Sequence, residues 1–266
     1  MKIITLLFLL VPFLSEAEDS TRYVITYKIN FQEKKSYTYR RNEFAALYIT
    51  QEGSIYVDRK VEARRNITAS KAIDSGTKLA QIGLPKFKAI VKKNYREGKN
   101  LIVQEHAMEQ FIGHEEEALP PSNWELMQDS TMLGFRVIAA KGFFFGREWT
   151  AWFCPEIPVS DGPYKFSGLP GLIFRVVSSD QHFIIEIASI EKAGKGRTVF
   201  NIPQFDQVSS TKFKERIKYL QENPLAFVEG RVTFASLKIE GKEVTPEEFN
   251  KIARKEEEDL VTLEIP

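Results

Sequence analysis

The stretch Tyr23–Phe31, with the sequence YVITYKINF, decides the class of fold that this chain adopts. Its odd-numbered positions all carry large aliphatic or aromatic side chains, whereas Thr26, Lys28 and Asn30 are polar. Successive side chains of a β-strand point to opposite faces, so this period of two predicts a strand that buries one face. The 20 phenylalanines and nine tyrosines of the chain favour sheet in the same way.

Shorter runs of the same kind recur along the chain at the spacing typical of strands joined by turns. Tyr37 and Tyr39 are expected to continue the first strand after a turn at Glu33–Lys35. The other predicted strands are Phe44–Thr50, Ser54–Asp58, Phe87–Val91, Leu101–Val103, Gly134–Ala139, Glu148–Phe153, Leu172–Val177, Phe183–Ile187, Arg231–Leu237 and Leu260–Ile265. About ten to thirteen strands in total are typical of a meander that curls to protect its edges.

Helical patterns occur in the C-terminal part of the sequence. Thr211–Glu222 repeats apolar residues every third or fourth position, which predicts an amphipathic helix. A second helix is predicted to begin after Thr245 as its N-cap and to run to about Glu258, with Phe249 and Ile252 facing inward. The fold class expected is therefore mainly β: a single curved antiparallel sheet or half-barrel with two C-terminal helices.

The composition limits the classes of protein to which the chain can belong. Of 266 residues, 43% are hydrophobic, which permits a substantial core. Lysine plus arginine number 37 and aspartate plus glutamate number 36, so the formal net charge is +1. That balance argues against a nucleic-acid-binding protein, which carries a basic excess. The hydrophobic content argues against a disordered chain.

Residues 1–17 have the pattern of a secretory signal peptide. Lys2 precedes the apolar run Ile3–Leu14, and Ser15-Glu16-Ala17 places small residues where a signal peptidase requires them. Cleavage is expected before Glu18, which leaves residues 18–266 as a single β-rich domain, periplasmic or secreted. No later apolar run reaches the roughly 18–20 residues that span a bilayer, so no stable membrane insertion is expected after cleavage. The stretch His114–Asn123 is interpreted as a loop within that domain.

The segment Cys154–Pro170 joins two predicted strands through an unusually long connection. Four of the 12 prolines lie within it, namely Pro155, Pro158, Pro163 and Pro170. Loops longer than about 12–15 residues are uncommon in compact domains and are often functional. Because proline restricts φ, this loop is expected to be stiff.

The end of this loop, Leu169-Pro170-Gly171-Leu172, has the residues that a type II turn requires, with proline second and glycine third. The stretch Asp161-Gly162-Pro163 is interpreted as another turn. Two interpretations of the loop are open at this point. The loop presents Tyr164, Phe166 and Leu169 to a ligand or partner, or it plugs the open end of the sheet with those same side chains.

The loop and its flanking strands resemble the GLPGLI family of exported proteins from Gram-negative bacteria, which is named for the hexapeptide found here at Gly168–Ile173. The hexapeptide is unaltered, and Trp152-Phe153-x-Pro155-Glu156-Ile157-Pro158 precedes it. The resemblance and the interpretation of the loop together give the predicted binding or signature residues Trp152, Phe153, Pro158, Gly162, Pro163, Tyr164, Phe166, Gly168, Leu169, Pro170, Gly171, Leu172 and Ile173.

The resemblance implies an exported β-rich protein, often encoded beside outer-membrane transport components, and it implies no established reaction. Members often carry a cysteine two residues after the aromatic residue that follows Gly134, and this chain has Val137 there. A cysteine-dependent role in relatives is therefore not expected to transfer to this chain.

Residue types that carry chemistry form no recognisable catalytic pattern, and no catalytic residue, metal site or cofactor is predicted. His106 and His114 are eight apart, unlike the spacing of a helical zinc pair. The leading hypothesis is a non-enzymatic envelope protein that binds an apolar ligand, an exported peptide or an outer-membrane transport component. The alternative is a secreted hydrolase of peptide or ester bonds that uses Cys154 or the paired carboxylates of Glu148 and Glu156. The many aromatic residues suit either a ligand cavity or a filled core.

Overall fold

The computed structural model describes residues 21–70, 81–82, 85–107, 110–119, 123–193, 199–227, 237–239, 242–257 and 262–264. Within these residues the chain is mainly β, as the alternating patterns predicted. Twelve strands form one sheet, two further strands form a separate ribbon, and three α-helices accompany them in the described part of the chain.

The strands follow one another along the chain with few interruptions. Their bounds are β1 Tyr23–Phe31, β2 Arg41–Ile49, β3 Gly53–Asp58, β4 Ile90–Asn94, β5 Lys99–Ala107, β6 Gln110–Glu117, β7 Glu125–Met132, β8 Phe135–Phe144, β9 Arg147–Cys154, β10 Leu172–Ser178, β11 Phe183–Lys192, β12 Asp206–Gln207, β13 Leu237–Ile239 and β14 Lys242–Val244. The helices are α1 Arg59–Ser70, α2 Ser210–Glu222 and α3 Pro246–Glu257, and a short 3-10 helix spans Pro224–Phe227. Among the described helices, none combines the length and the apolar character needed to cross a bilayer.

The order of strands across the large sheet is β12-β6-β5-β4-β3-β2-β1-β11-β10-β9-β8-β7. Neighbouring strands are antiparallel, except that β12 pairs with β6 in parallel. Two halves of the meander meet at the pair β1–β11, which has one bulge between Thr26 and Tyr27. Because β12 and β7 are edges, the sheet is open and is not closed into a barrel.

Alternate positions of the strands contribute to two layers of core, one on each face of the sheet. Tyr27 of β1 belongs to the larger layer, together with Trp149 of β9. Val24, on the opposite face of β1, belongs to the other layer, which Val61 of α1 and Phe200 cover. The period of two in β1 therefore separates a buried face from a face that is buried at Val24 and half-buried at Thr26, Lys28 and Asn30.

Several predicted elements are confirmed. The bounds of β1 are the predicted ones, and α2 begins one residue before the predicted start, with Phe213 buried against β5 and β6. The predicted N-cap of α3 is present: the Glu248 side chain accepts from the Thr245 N–H at 2.8 Å, and the Thr245 hydroxyl accepts from the Glu248 N–H at 3.1 Å. Each of the two side chains thereby satisfies a main-chain donor at the start of the helix.

Three expectations are wrong. Tyr37 and Tyr39 lie in the connection between β1 and β2, where their rings stack on each other with centroids 4.7 Å apart. The stretch from His114 was expected to be a loop, but β6 extends to Glu117. Ile252 was expected to face inward and is 41% exposed, because α3 packs against α2 and Pro224–Phe227 through other positions.

The sequence patterns missed β6, β7, β12, β14 and α1, and of these α1 and β7 have few apolar residues. The sequence RKVEARRNITAS of α1 is strongly polar, yet Asp58 caps it by accepting the Lys60 N–H at 2.7 Å. Every position of β7 before Met132 is exposed, so no alternation marks the strand. The predicted signal peptide lies outside the described residues, as does Arg231–Leu237 except for Leu237. Of the predicted strand Leu260–Ile265 the structure describes 262–264, which do not form a strand.

Candidate functional site

The loop between β9 and β10 reaches across the sheet to a distant strand. In the order of the sheet, β10 and β4 are separated by β11, β1, β2 and β3. Neighbouring strands lie about 4.8 Å apart, so a flat sheet would hold β4 more than about 20 Å from β10. Lys93 of β4 nevertheless hydrogen-bonds to three groups of the loop. The sheet therefore curls around the loop, which lies on its concave face.

A buried ion pair joins the loop to β4. The Lys93 Nζ atom donates to the Asp161 Oδ1 atom at 2.5 Å and to the carbonyl oxygens of Gly162 and Phe166 at 2.7 and 2.9 Å. The side chains of Lys93 and Asp161 are 3% and 0% exposed. An ammonium group has three N–H donors, so all the donors of Lys93 are used. Burying a charge is costly unless it is paired and hydrogen-bonded, and this pair meets both conditions.

A tyrosine hydroxyl and a main-chain amide complete the surroundings of Asp161. The Tyr95 hydroxyl donates to the Asp161 Oδ2 atom at 2.6 Å, and the Gly162 N–H donates to Oδ1 at 2.6 Å. Burial, and then the Asp161 carboxylate, raise the pKa of Tyr95, so this hydroxyl keeps its proton. Burial lowers the pKa of Lys93, and the Asp161 carboxylate opposes that shift. We call Lys93, Tyr95 and Asp161 the anchor.

The aromatic side chains of the loop pack into the core of the concave face. The Phe166 ring is fully buried, with its centroid 4.9 Å from that of Trp149 and 5.5 Å from that of Phe145. Tyr164 meets the Phe145 ring edge-on at 5.9 Å, and Leu169 is also buried. These contacts favour the interpretation in which the loop plugs the sheet, because its large side chains are turned away from any partner.

A second charged cluster connects the loop to the C-terminal part of the chain. The Lys165 Nζ atom lies 2.5 Å from the Glu264 Oε1 atom and 3.0 Å from the Glu116 Oε1 atom. The Tyr164 hydroxyl also donates to Glu264 Oε1 at 2.5 Å. Burial, and then Glu264, raise the pKa of Tyr164. The loop is thus held from both sides, by β4 and β6 on one and by Glu264 on the other.

The turn at Pro170 differs from the predicted type II turn. Gly171 has a φ of +156°, whereas the third residue of a type II turn has a φ of about +80°. Its N–H donates to the Leu169 carbonyl at 2.8 Å, which defines a three-residue γ-turn centred on Pro170. Glycine is required for another reason: a Cβ atom at this position would overlap the carbonyl oxygen of Cys154. The close approach of the loop to β9 imposes the tighter bend.

The second predicted turn lies slightly later than expected. Asp161 pairs with Ser167 in an isolated β-bridge, and the Phe166 N–H donates to the Pro163 carbonyl at 3.0 Å. The chain therefore reverses over Pro163–Phe166, where Tyr164 has a φ of +50°. This reversal brings Ser167 back beside Asp161, on the side of the loop that faces β5.

A row of polar side chains crosses the concave face beside the anchor. In the strand register Ser54 pairs with Lys93, Lys93 with Asn100, and Asn100 with Glu116. Cross-strand partners present their side chains on the same face of a sheet. We call Ser54, Lys93, Asn100 and Glu116 the polar row, and its first three members are buried.

An open cleft of about 480 Å³ lies between the polar row and the loop. The ends of β1, β2, β4 and β5 contribute one wall, which includes Lys93 and Asn100. The loop contributes the other wall, with Pro158, Val159 and Ser167. Small-molecule sites in proteins occupy about 300–1,000 Å³, so this cleft has the size of a binding site.

Two buried side chains that line the cleft have no hydrogen-bond partner. Asn100 is 1% exposed, and neither its amide oxygen nor its amide nitrogen is bonded. Ser167 is also buried, and its hydroxyl has no partner. Buried polar groups are almost always paired, and an unpaired one costs about 1–3 kcal/mol. These atoms have almost no accessible surface, so a ligand in the cleft does not reach them unless the side chains move.

The predicted signature residues divide by burial. Phe153, Gly162, Pro163, Phe166, Leu169, Gly171, Leu172 and Ile173 are buried, Trp152, Tyr164 and Gly168 are half-buried, and Pro158 and Pro170 are exposed. Of these thirteen, Pro158 and Gly168 line the cleft. The sequence analysis did not identify Lys93 or Asn100 as site residues. Lys93 lies two positions after Val91, so its side chain lies on the same apolar face of β4, and this was a signal in the sequence.

The groups considered for a hydrolase are far apart or inaccessible. Cys154 is a free cysteine that is fully buried at the end of β9, a position typical of a packing residue. Glu148 and Glu156 flank opposite ends of β9, which separates them by about 20 Å at the usual rise of a strand. Two carboxyl groups that act together on one bond lie within about 10 Å. The geometry therefore does not support a catalytic pair formed by Glu148 and Glu156.

Among the residues that the structure describes, no three histidine, cysteine, aspartate or glutamate side chains converge as metal ligands would. Arg216 of α2 donates to the His106 Nδ1 atom at 3.3 Å. The His114 ring packs against Phe213 with centroids 4.4 Å apart. Both histidines thus attach α2 to the edge of the sheet.

Fold and site together define an open, curled β-sheet protein with a stiff loop across its concave face and a cleft beside that loop. A family model described as "Protein of unknown function (Porph_ging)" matches residues 86–175, about a third of the chain. This range includes Lys93, Asn100 and the whole β9–β10 loop, so the anchor and most of the cleft lie within it. No curated protein matches the sequence.

Solved structures share this fold at low sequence identity. Structures of PNGF-II in space groups P21 and C2 match with TM-scores of 0.53, at 14% and 15% identity, over 76% of this chain and 34% of theirs. The chain therefore spans about a third of the length of these PNGF-II chains. An outer membrane lipoprotein-sorting protein domain from Vibrio parahaemolyticus aligns over 75% of this chain and 92% of its own, at 6% identity, with a TM-score of 0.23.

Proposed function

We propose that this chain is an exported, non-enzymatic binding protein of the Gram-negative envelope and a member of the GLPGLI family. The unaltered hexapeptide Gly168–Ile173 and the preceding Trp152-Phe153 motif support the family assignment. The signal-like sequence of residues 1–17 supports export to the periplasm or the cell exterior, with residues 18–266 as one domain.

The observation that carries the binding proposal is the cleft of about 480 Å³ beside the anchor. The anchor fixes the loop to β4 through a fully hydrogen-bonded ion pair, so the wall formed by Pro158, Val159 and Ser167 is ordered before any ligand arrives. A site whose walls are already ordered binds without the entropic cost of ordering a loop.

The cleft offers a mixed surface to its ligand. Leu119 and Val159 provide apolar contacts, whereas the exposed side chains of Gln51 and Ser160 provide hydrogen-bonding groups. The loop aromatics pack in the concave core and are not among the residues that line the cleft. An apolar molecule, an exported peptide or a segment of an outer-membrane transport component are the candidate ligands. A few polar groups within an apolar site are typical of binding proteins.

Native mass spectrometry of the full chain, isolated gently from cells that export it, tests this proposal. Ser160 is exposed and lines the cleft, so the indole of a Ser160→Trp variant would fill the cleft without entering the core. We expect a reproducible added mass on the wild type that disappears on denaturation and that Ser160→Trp reduces by about fivefold or more.

Ser179→Trp is the matched control, because Ser179 is equally exposed but lies on the turn between β10 and β11. This control should keep the added mass. A wild-type chain that carries no added mass, or an added mass that Ser160→Trp leaves unchanged, contradicts the proposal.

A further inference from the structure

We infer that the ligand of the cleft is an amphipathic anion, a molecule with one carboxylate or phosphate group on an apolar chain, and that the Arg22 side chain binds its charged group. This inference rests on the proposed binding function and names the class of ligand. It depends on side chains of the cleft that solvent reaches, because these can touch a ligand without rearranging. They are the exposed or half-buried side chains of Arg22, Tyr23, Gln51, Leu119, Pro158 and Val159.

The cleft differs in character from one end to the other. Arg22 directly precedes β1, and Leu119 lies two residues after β6. In the order of the sheet β2, β3, β4 and β5 lie between β1 and β6, so these two side chains lie toward opposite ends of the cleft. The cleft therefore has a cationic end and an apolar end.

The charges of the lining favour an anion. Among the described residues that line the cleft, Lys93 and Arg22 are the charged ones, and none is an aspartate or a glutamate. The Lys93 ammonium is neutralised by Asp161 and has no donor left. Arg22 is thus the lining residue whose charge attracts an anion and repels a cation.

The Arg22 guanidinium is held in place and keeps donors for a ligand. Its own main-chain N–H donates to the Ile49 carbonyl at 2.7 Å, and its carbonyl accepts from the Ala193 N–H at 2.9 Å. One Nη2 hydrogen is donated to the Gln51 Oε1 atom at 3.0 Å. A guanidinium has five N–H donors, and two of them bind a carboxylate or phosphate in parallel. Because Arg22 is exposed, the bound anion keeps part of its hydration and avoids the full cost of burial.

The remaining surface of the cleft suits an apolar chain. Tyr23 and Leu119 on the sheet side and Pro158 and Val159 on the loop side present apolar atoms to it. Each CH₂ group that leaves water strengthens binding, so the affinity of a series of anions should rise with the length of their chains.

Isothermal titration of the full chain with four probes of equal chain length tests the inference. Octanoate and octyl phosphate are anionic, octanamide is neutral and octylammonium is cationic. We expect at least one of the two anions to bind about tenfold more tightly than octanamide, with octylammonium weakest. Whichever anion binds more tightly identifies the head group as carboxylate or phosphate. Raising the salt concentration to about 0.5 M should weaken binding of that anion, and should not weaken binding of octanamide.

Arg22→Gln removes the charge and keeps a polar side chain at an exposed position, so the variant should fold normally. Its affinity for the preferred anion should fall by about tenfold, and its affinity for octanamide should be unchanged. Arg96→Gln is the matched control, because Arg96 is also exposed, lies on the turn between β4 and β5 and does not line the cleft. This control should bind both probes as the wild type does.

The outcomes separate this inference from the proposed function. Equal affinity for the preferred anion in the wild type and in Arg22→Gln overturns the role of Arg22. A wild type that binds octanamide or octylammonium as tightly as either anion overturns the inference and leaves the binding function intact. A wild type that binds none of the probes, yet carries an added mass in native mass spectrometry, has the same meaning. A wild type that binds none of the probes and carries no added mass overturns both.

Discussion

The anchor and the cleft are built on the same polar row, yet their buried polar atoms are in opposite states. Lys93 on β4 and Asn100 on β5 are cross-strand neighbours and are 3% and 1% exposed. Every side-chain donor of Lys93 is hydrogen-bonded, whereas neither polar side-chain atom of Asn100 is. The comparison distinguishes buried side chains whose hydrogen bonds hold the fold from a buried side chain that contributes no hydrogen bond to it.

The largest expected effect concerns the anchor. Asp161→Ala leaves the Lys93 ammonium buried and unpaired, so the free energy of unfolding should fall by about 3–5 kcal/mol. The control is Asp129→Ala, which breaks the exposed ion pair with Arg136 and should cost less than about 1 kcal/mol. Urea denaturation of both variants measures the difference. Similar losses in the two variants would show that the anchor does not fasten the loop.

Asp58 lies between the two cases, because one carboxylate oxygen caps α1 and the other is unpaired. Burial raises the pKa of Asp58 from 3.8 to about 6. The folded state binds the proton of Asp58 more tightly than the unfolded state does, so protonation of Asp58 stabilises the folded protein. This contribution to the unfolding free energy is complete below about pH 4 and is lost as the pH rises through 6. Relative to wild type, Asp58→Asn should gain up to about 3 kcal/mol of unfolding free energy between pH 3.5 and pH 7.

Measuring unfolding free energies of both proteins across this pH range checks the sign. Asp129→Asn, at an exposed position, should show no comparable pH-dependent gain. A constant difference between Asp58→Asn and the wild type at all pH values would mean that Asp58 titrates normally in the folded protein.

The contact of the loop with β9 predicts a smaller effect. A Cβ atom at Gly171 overlaps the main chain at Cys154, so Gly171→Ala should cost roughly 1–3 kcal/mol through local displacement. Gly134 has a φ of +82° in open space on an exposed turn, and Gly134→Ala should cost about 1 kcal/mol or less. Thermal unfolding that ranks the two variants in the reverse order would refute the close approach.

The thiol of Cys154 tests the alternative hydrolase hypothesis. Because the side chain is fully buried, iodoacetamide at neutral pH should label the native protein only after denaturation. Mass spectrometry of the intact chain measures the labelled fraction. Rapid labelling of the native protein would restore Cys154 as a candidate nucleophile.

The strands were predictable where apolar and polar residues alternate in the sequence and the apolar ones are the buried ones in the structure. β1 shows this best, because each of its two faces has a consistent residue type and its bounds match the prediction. α1 and β7 were not predictable by the same method, since their residues are mostly polar and their positions depend on neighbouring elements. Asp58 was a usable N-cap signal for α1.

The site was predictable only in part. The proline-rich loop indicated the correct region, and five of its residues form a wall of the cleft, namely Pro158, Val159, Ser160, Ser167 and Gly168. Lys93 and Asn100 could not be assigned from the sequence, because their roles depend on the curvature that brings β4 next to a loop five strands away. Strand parity could have shown that Lys93 faces inward, but it could not have identified Asp161 as its partner.

The unfolding free energy of Asn100→Leu relative to wild type tests most directly whether the side chain of Asn100, unlike that of Lys93, contributes no hydrogen bond to the fold. An amide with no partner in the fold contributes nothing to its stability, so replacing it with an apolar group of similar volume should leave the unfolding free energy unchanged or raise it by up to about 2 kcal/mol. Asn42→Leu, measured in parallel, controls for the substitution itself. A loss of about 2 kcal/mol or more in Asn100→Leu alone would contradict the account, because Asn100 would then support the fold as Lys93 does.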